Sequence, residues 1–180
     1  MKQTSEDSPI RVDFLPDGVT SLPGRVGLTF APGKKDWHWD RCLEADLTRL
    51  HDEFGVSVLV CLLEAFELDE LHMAGYEPAV SRAGMALYRL PIRDVSVPTS
   101  VQDTQRAVAY ILGRARAGEN VAIHCRGGLG RTGLVAACCL VALGRGARES
   151  IALVRNTREN AVETTEQARW VEEFERAARW

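Results

Sequence analysis

The chain has 180 residues, of which 46% are hydrophobic and 26% are charged, and these proportions are typical of one globular domain rather than a disordered or fibrous chain. The formal net charge of −3 at pH 7 argues against a nucleic-acid partner, which needs a broad basic surface. The five cysteines include no C-x-x-C pair and fit a reducing compartment better than a disulfide scaffold.

The apolar runs are short, and the longest, at residues 134–143, has about half the length of a membrane span. Lys2, Glu6 and Asp7 stand where a signal peptide would carry its apolar stretch. We therefore expect a cytoplasmic protein with no membrane partner.

The first half of the chain alternates strand-like and helix-like patterns after a polar beginning. Residues 1–24 are rich in Ser, Thr, Asp and Pro and are predicted to form a flexible N-terminal segment. Residues 26–30 predict a strand, and residues 39–54 predict a helix because leucines and Phe54 recur every three or four positions. The continuous apolar run at residues 56–63 predicts a buried parallel strand.

The second half continues the alternation. Residues 85–92 predict a third strand, and residues 100–117 predict a helix that starts at a variant of the capping box. Residues 121–124 predict a fourth strand, and residues 132–143, which are apolar on nearly every side, predict a buried central helix. Two more helices are predicted at residues 147–156 and 164–179.

This order of elements predicts the α/β class. We expect a single domain over residues 25–180, with a central, mostly parallel, twisted sheet of four to five strands that is flanked by helices. A phosphate-binding loop would lie between a strand and the buried central helix.

That loop lies in residues 121–133, which read VAIHCRGGLGRTG. The predicted phosphate-binding residues are Arg126, Gly127, Gly128, Leu129, Gly130 and Arg131. The glycines let successive N–H groups point inward as an anion-binding nest, and the start of the next helix adds its positive dipole end. The arginine at the end of the loop offers a planar fork that matches two phosphate oxygens. The pattern predicts that Cys125 is a thiolate nucleophile aimed at an oxyanion that the backbone amides hold.

The motif His124-Cys125-x5-Arg131-Thr132 resembles the signature of the cysteine-dependent protein tyrosine and dual-specificity phosphatases. The fuller string, His-Cys-x-Gly-Gly-Leu-Gly-Arg-Thr, is similar to that of the cyclin-dependent kinase inhibitor 3, or kinase-associated phosphatase, subgroup. The likeness extends from about residue 28 to residue 174.

The resemblance implies a protein phosphatase that hydrolyses phosphotyrosine and phosphoserine or phosphothreonine monoesters through a phosphocysteine intermediate. Its partner would be a phosphoprotein or phosphopeptide substrate, and the enzyme would act as a monomer without a cofactor. The histidines outside the motif, His38, His51 and His72, have no ligand spacing, so no metal is expected either.

The resemblance also assigns roles. Cys125 attacks phosphorus, and Arg131 and the loop amides hold the equatorial oxygens. Asp94, in a segment similar to the subgroup's general-acid loop, is the acid and then the base, whereas the rival Asp103 fits a helix cap better. Thr132 helps the sulfur to leave in the second step.

The supporting roles are less direct. His124 braces the loop by hydrogen bonding. Gln167 matches the position that orients the hydrolytic water, although Glu163 departs from the subgroup's pattern at a position that often carries another Gln. A solvated helix start would explain Gln167 and Glu163 equally well.

Cys61 is a possible redox partner of Cys125. It ends a strand that is predicted to lie beside residues 121–124, and adjacent strands are about 4.8 Å apart, within the Cα separation of about 7 Å that a disulfide allows. Relatives with a Cys at the matching strand end use it in this way. The alternative is a buried strand cysteine without a role.

Three other functions stay open. A phosphoinositide or inositol-phosphate phosphatase would usually carry Lys in the loop, where Arg126 is the one basic residue between Cys125 and Arg131. A rhodanese-like sulfurtransferase would share the start of the loop, but Thr132 and Asp94 argue against it. A silent phosphoprotein-binding module would have lost at least one of the reactive residues.

Overall fold

Strands and helices alternate along the backbone. The computed structural model describes residues 1–178 of the chain. The strands are β1 (Asp13–Phe14), β2 (Val26–Thr29), β3 (Val56–Cys61), β4 (Ala86–Arg89) and β5 (Asn120–His124). The helices are α1 (Asp17–Thr20), α2 (Leu43–Asp52), α3 (Ala65–Glu70), α4 (Tyr76–Arg82), α5 (Val101–Arg116), α6 (Gly130–Ala142), α7 (Ala147–Thr157) and α8 (Thr165–Ala178). The α/β class that the sequence predicts is confirmed.

The five strands form one sheet in the order β1-β2-β5-β3-β4. β1 runs antiparallel to β2, and the other neighbours are parallel, so the predicted mostly parallel sheet is confirmed. Since β2, β3, β4 and β5 point the same way, the loops that follow them meet at one edge. In open sheets of this kind, that edge is where ligands bind.

The core has two parts because side chains alternate between the faces of the sheet. On β5, Val121 and Ile123 face the α5, α6 and α8 layer, and Ala122 faces the layer that contains α2 and α4. Helix α6 is buried along almost its whole length and contacts α5, α7, α8 and the sheet, as expected from its apolar sequence. The glycine-rich loop that precedes α6 is therefore anchored to a buried helix. None of the helices within residues 1–178 has the length and apolar character that a membrane crossing needs.

The beginning of the chain differs from the predicted flexible segment over residues 1–24. Ile10, Val12 and Leu15 are buried, and β1 pairs with β2 through Asp13 and Phe14. These apolar residues stand in a segment that is rich in polar ones, so the composition of the segment does not indicate that they are buried. The folded unit thus starts well before residue 25.

Other differences concern short elements. The helix predicted from residue 39 starts only at Leu43, because Trp39 and Asp40 form isolated bridges with Gln3 and Lys35. Helices α3 and α4 were not predicted, and the third strand covers only residues 86–89 of the predicted 85–92. The predicted end of the last helix at Arg179 lies outside the described residues.

A buried ion pair fixes the loop between β2 and α2. Arg41 donates to both carboxylate oxygens of Asp46 at 2.8 Å, and the two side chains are 0% and 1% exposed. Asp46 also accepts the N–H of Gly33 at 2.8 Å, and Arg41 donates to the Ser8 carbonyl at 2.8 Å. The pair therefore holds this loop, the helix and the beginning of the chain together.

We expect Asp46→Ala to lower the free energy of unfolding by about 3–5 kcal/mol, because the buried guanidinium loses its partner. Urea unfolding followed by circular dichroism measures this. The matched control is Glu149→Ala, which removes the half-exposed partner of Arg145 and should cost about 0.5 kcal/mol or less. Similar losses for the two variants would contradict the structural role of the buried pair.

Candidate active site

The predicted nucleophile Cys125 directly follows β5 and is buried at the start of the glycine-rich loop. Its sulfur accepts the backbone N–H of Gly128 at 3.2 Å. Helix α6 begins at Gly130, so the positive end of its dipole lies at the loop. One backbone N–H and the start of helix α6 thus contribute partial positive charge at the sulfur.

Two glycines of the loop lie in close contact with other segments of the chain. Gly128 has a φ of +72°, and a Cβ there would overlap the carbonyl of Thr29 at the end of β2. A Cβ on Gly130 would overlap the side chains of Glu163 and Gln167. Gly127 has open space around it, so its place in the loop is not explained by crowding.

Arg131 is the focus of the charged groups. It is 2% exposed, and its guanidinium donates to Glu67 Oε2 at 2.7 Å and Oε1 at 3.0 Å, and to the Ile92 carbonyl at 3.0 Å. Burial lowers its pKa, but the bonds to Glu67 and the charges of Cys125 and Asp94 outweigh burial and raise the pKa above its usual value. Arg131 therefore stays charged in the interior.

Asp94 lies beside the guanidinium of Arg131. Its Oδ1 lies 2.8 Å from Arg131 Nη2, and its side chain is 53% exposed. Asp103, by contrast, shares hydrogen bonds with Ser100 at the start of α5, as expected of a cap. The structure thus places Asp94, and not Asp103, beside the loop.

Thr132 lies in the first turn of α6 and is buried. Its hydroxyl has no hydrogen-bond partner within residues 1–178. A buried hydroxyl without a partner normally costs free energy, and this one has its hydrogen-bonding capacity unused.

His124 is buried below the loop. Its Nε2 lies 2.5 Å from the hydroxyl of Tyr76, and its Nδ1 lies 3.3 Å from the carbonyl of Cys125. Burial lowers the pKa of His124 from 6.5 to about 4. The ring is therefore neutral at pH 7 and joins the loop to α4.

Gln167 is fully buried and not part of a solvated helix start. Its Oε1 accepts the N–H groups of Glu163 and Thr164 at 3.0 and 3.2 Å, and its Nε2 donates to the Ser96 carbonyl at 3.2 Å. Gln167 thus joins the start of α8 to the segment that carries Asp94.

The structure places Cys61 and Cys125 in different parts of the core. It pairs in register with His124, one residue before Cys125, and its thiol belongs to the cluster around Tyr76 on the other face of the sheet. Burial raises the pKa of Cys61 to about 11. All five cysteines are free.

Three residues at the site were missed in the sequence. Glu67 holds Arg131, Lys34 donates to the carbonyl of Arg126, and Arg158 donates to the carbonyl of Gly127. The spacing Glu64-x-x-Glu67, which forms a capping box at α3, is a signal that could have marked the first. Within residues 1–178, no group of three His, Cys, Asp or Glu side chains could hold a metal ion.

Comparisons with known proteins agree with this geometry. The family model described as "Polymorphic toxin system, DSP-PTPase phosphatase" matches residues 33–145. The chain is 28% identical to the cyclin-dependent kinase inhibitor 3 of Rattus norvegicus over 174 residues, which are 94% of this chain and 80% of that protein. The family match contains both Asp94 and the whole loop after Cys125.

Solved structures share the fold. A crystal structure of kinase associated phosphatase, with serine in place of its catalytic-site cysteine, superposes with a TM-score of 0.88 at 23% identity and covers 96% of this chain and 97% of that one. The crystal structure of Tk-PTP in the active form gives a TM-score of 0.74 at 30% identity, with 92% and 96% covered.

The neutral buried His124 makes stability depend on pH. In the unfolded chain its pKa returns to 6.5, so between pH 6.5 and about 4 the unfolded state binds a proton that the folded state does not. We expect this group to remove about 3 kcal/mol of stability as the pH falls through that window. Urea unfolding at several pH values should show a smaller loss for His124→Gln. The exposed His51→Gln should keep the wild-type dependence, and equal dependence in all three proteins would contradict the assignment.

Proposed function

The chain belongs to the DSP-PTPase phosphatase family, and from this premise we propose that it hydrolyses phosphotyrosine and phosphoserine or phosphothreonine monoesters of proteins through a phosphocysteine intermediate. One observation carries the proposal: the Cys125 sulfur accepts the N–H of Gly128, two residues before the start of the helix that carries the buried Arg131. This arrangement suits a thiolate that attacks a tetrahedral oxyanion.

In the first step, the sulfur of Cys125 forms a bond to phosphorus while the bond from phosphorus to the leaving oxygen breaks. The inward N–H groups of the loop and Arg131 hold the three equatorial oxygens. The phosphate replaces Asp94 as a partner of Arg131. The released, half-exposed carboxylate takes up a proton from solvent and gives that proton to the leaving oxygen.

In the second step, water attacks phosphorus, Asp94 takes the proton of the water, and the bond between sulfur and phosphorus breaks. The unpartnered hydroxyl of Thr132 donates a hydrogen bond to the departing sulfur. Gln167 keeps the Asp94 segment in place through Ser96. Its carboxamide oxygen is already occupied by two N–H groups, so this positioning role fits better than direct contact with water.

The rim of the site supports a protein substrate. Trp37, Phe66 and Val95 are exposed, and each is next in sequence to a residue that pairs with an arginine of the loop: Asp36, Glu67 and Asp94. Apolar groups at these places suit the side chains of a phosphopeptide better than a polar inositol ring. Arg126 Nη2 lies 3.7 Å from Asp36 Oδ2. Because this carboxylate offsets its charge, Arg126 gives little of the additional positive charge that a polyphosphate substrate would need.

We further infer a cytoplasmic monomer that needs neither a cofactor nor a metal and binds neither nucleic acid nor a membrane. The five free cysteines, four of them buried, support a reducing compartment. The net charge of −3 supports the absence of a nucleic-acid partner.

Cys125→Ser should lower the turnover of p-nitrophenyl phosphate by more than about 10³-fold, since a hydroxyl in this loop does not ionise as a thiol does. The circular dichroism spectrum should stay that of the wild type, and Cys42→Ser, at the exposed cysteine, is the matched control. Appreciable turnover by a folded Cys125→Ser protein would overturn the proposed nucleophile.

Asp94→Asn should lower turnover by about 10²–10⁴-fold for substrates with poor leaving groups, because the amide cannot give a proton. The loss should shrink for activated aryl phosphates, whose leaving oxygens need little protonation. Steady-state rates across aryl phosphates of different leaving-group pKa test this, with Asp103→Asn as the control. A ratio of wild-type to variant rates that does not change along the series would assign the proton to another group.

A further inference from the structure

Two cationic side chains donate hydrogen bonds to consecutive backbone carbonyls of the loop. Lys34 Nζ donates to the Arg126 carbonyl at 3.2 Å, and Arg158 Nη2 donates to the Gly127 carbonyl at 3.1 Å. Because the C=O and N–H of a trans peptide point in opposite directions, each contact turns the next N–H towards the inside of the loop. The second contact orients the Gly128 N–H, which reaches the sulfur of Cys125.

Lys34 is a buried lysine without a close carboxylate partner in the described part of the chain. It is 5% exposed, and its ammonium lies 4.7 Å from the ring centre of Phe30 and 4.8 Å from that of Trp39. The structure gives it no carboxylate within 4.0 Å among residues 1–178. The charged and titratable groups that face it are Asp36, Arg41, Cys125 and Arg126.

Burial of Lys34 lowers its pKa from 10.5 to about 8, against the opposing effects of Asp36 and Cys125. An anion in the loop would favour the protonated form, and by linkage the protonated form binds the anion better. The positive charge behind the loop is therefore present at neutral pH and is lost in mildly alkaline solution.

Arg158 differs from Lys34 in having a carboxylate partner and in its response to pH. Its Nη1 lies 2.6 Å from Asp13, so β1 holds it in place and balances its charge. An arginine also keeps its proton throughout this range. The two residues thus make the same kind of contact with different responses to pH.

We propose that Lys34 and Arg158 are positioning residues that hold the loop amides towards the bound oxyanion, and that the buried Lys34 also contributes a positive charge behind the loop. The inference rests on the proposed function, since it concerns the same phosphate site. Neither residue touches the phosphate in this scheme; both act through the backbone of the loop.

Sulfate binding separates these effects, because sulfate stays a dianion across the range tested. The Cys125→Ser variant of the whole 180-residue chain, which has no thiol in the loop, is the parent. Calorimetry at pH 7 and pH 9.5 should show the parent losing about tenfold in affinity at the higher pH, as expected for one charge near the site. With Lys34→Met added, binding should be weak at both values and no longer change with pH.

The other variants test the alternatives. Arg158→Met should weaken binding at both pH values and keep the pH dependence. Lys34→Arg should keep tight binding at both values, because its charge is not lost. Lys35→Met, which removes an exposed charge one residue along, and Arg148→Met, which removes a highly exposed guanidinium, should behave as the parent.

With Cys125 restored, Lys34→Met and Arg158→Met should raise the KM for p-nitrophenyl phosphate more than they lower kcat. Parent-like sulfate binding by Lys34→Met, or an unchanged pH dependence in Lys34→Arg, would overturn the role of Lys34, and parent-like binding by Arg158→Met would overturn that of Arg158. If Lys34→Met does not fold, Lys34→Arg still decides the matter. Failure of the proposed function would look different: the wild-type protein would not turn over aryl phosphates, whatever the sulfate results.

Discussion

The buried charge of Arg131 is the constraint on which the arrangement of the site depends. A guanidinium taken out of water must find partners for its N–H groups, or the fold loses several kcal/mol. Arg131 finds them in Glu67, the Ile92 carbonyl and Asp94. These partners come from the segments after β3 and β4, so one side chain from the start of α6 joins two separate parts of the chain to the loop at the carboxyl edge of the sheet.

The loop itself is held from the outside. The carbonyls of Arg126 and Gly127 accept side-chain donors, and that of Leu129 accepts the N–H groups of Gly133 and Val162. With its acceptors used in this way, the backbone presents donors to the interior before any substrate arrives. Such preorganisation means that little reorganisation is needed when charge develops on the phosphate oxygens.

Sequence patterns predicted most of the sheet and the loop because these depend on local features: apolar runs, a glycine-rich turn and an apolar helix. The pairing of Glu67 with Arg131 spans 64 positions, and no local pattern contains it. The role of residues 10–15 was missed for a similar reason, because their burial depends on β2 and α2. The face of Cys61 could have been foreseen: a strand residue in register with His124 points away from the face that Cys125 occupies.

The pairing of β1 with β2 has a consequence for N-terminal truncation of the protein. If the chain began at residue 25, β2 would become an open edge strand, and unpaired edge strands recruit other strands and promote aggregation. The same cut would remove Asp13, the partner of Arg158, and would expose apolar surface that Ile10, Val12 and Leu15 now cover. A fragment for expression, or a fusion at the N-terminus, should therefore keep the first residues as part of the folded unit.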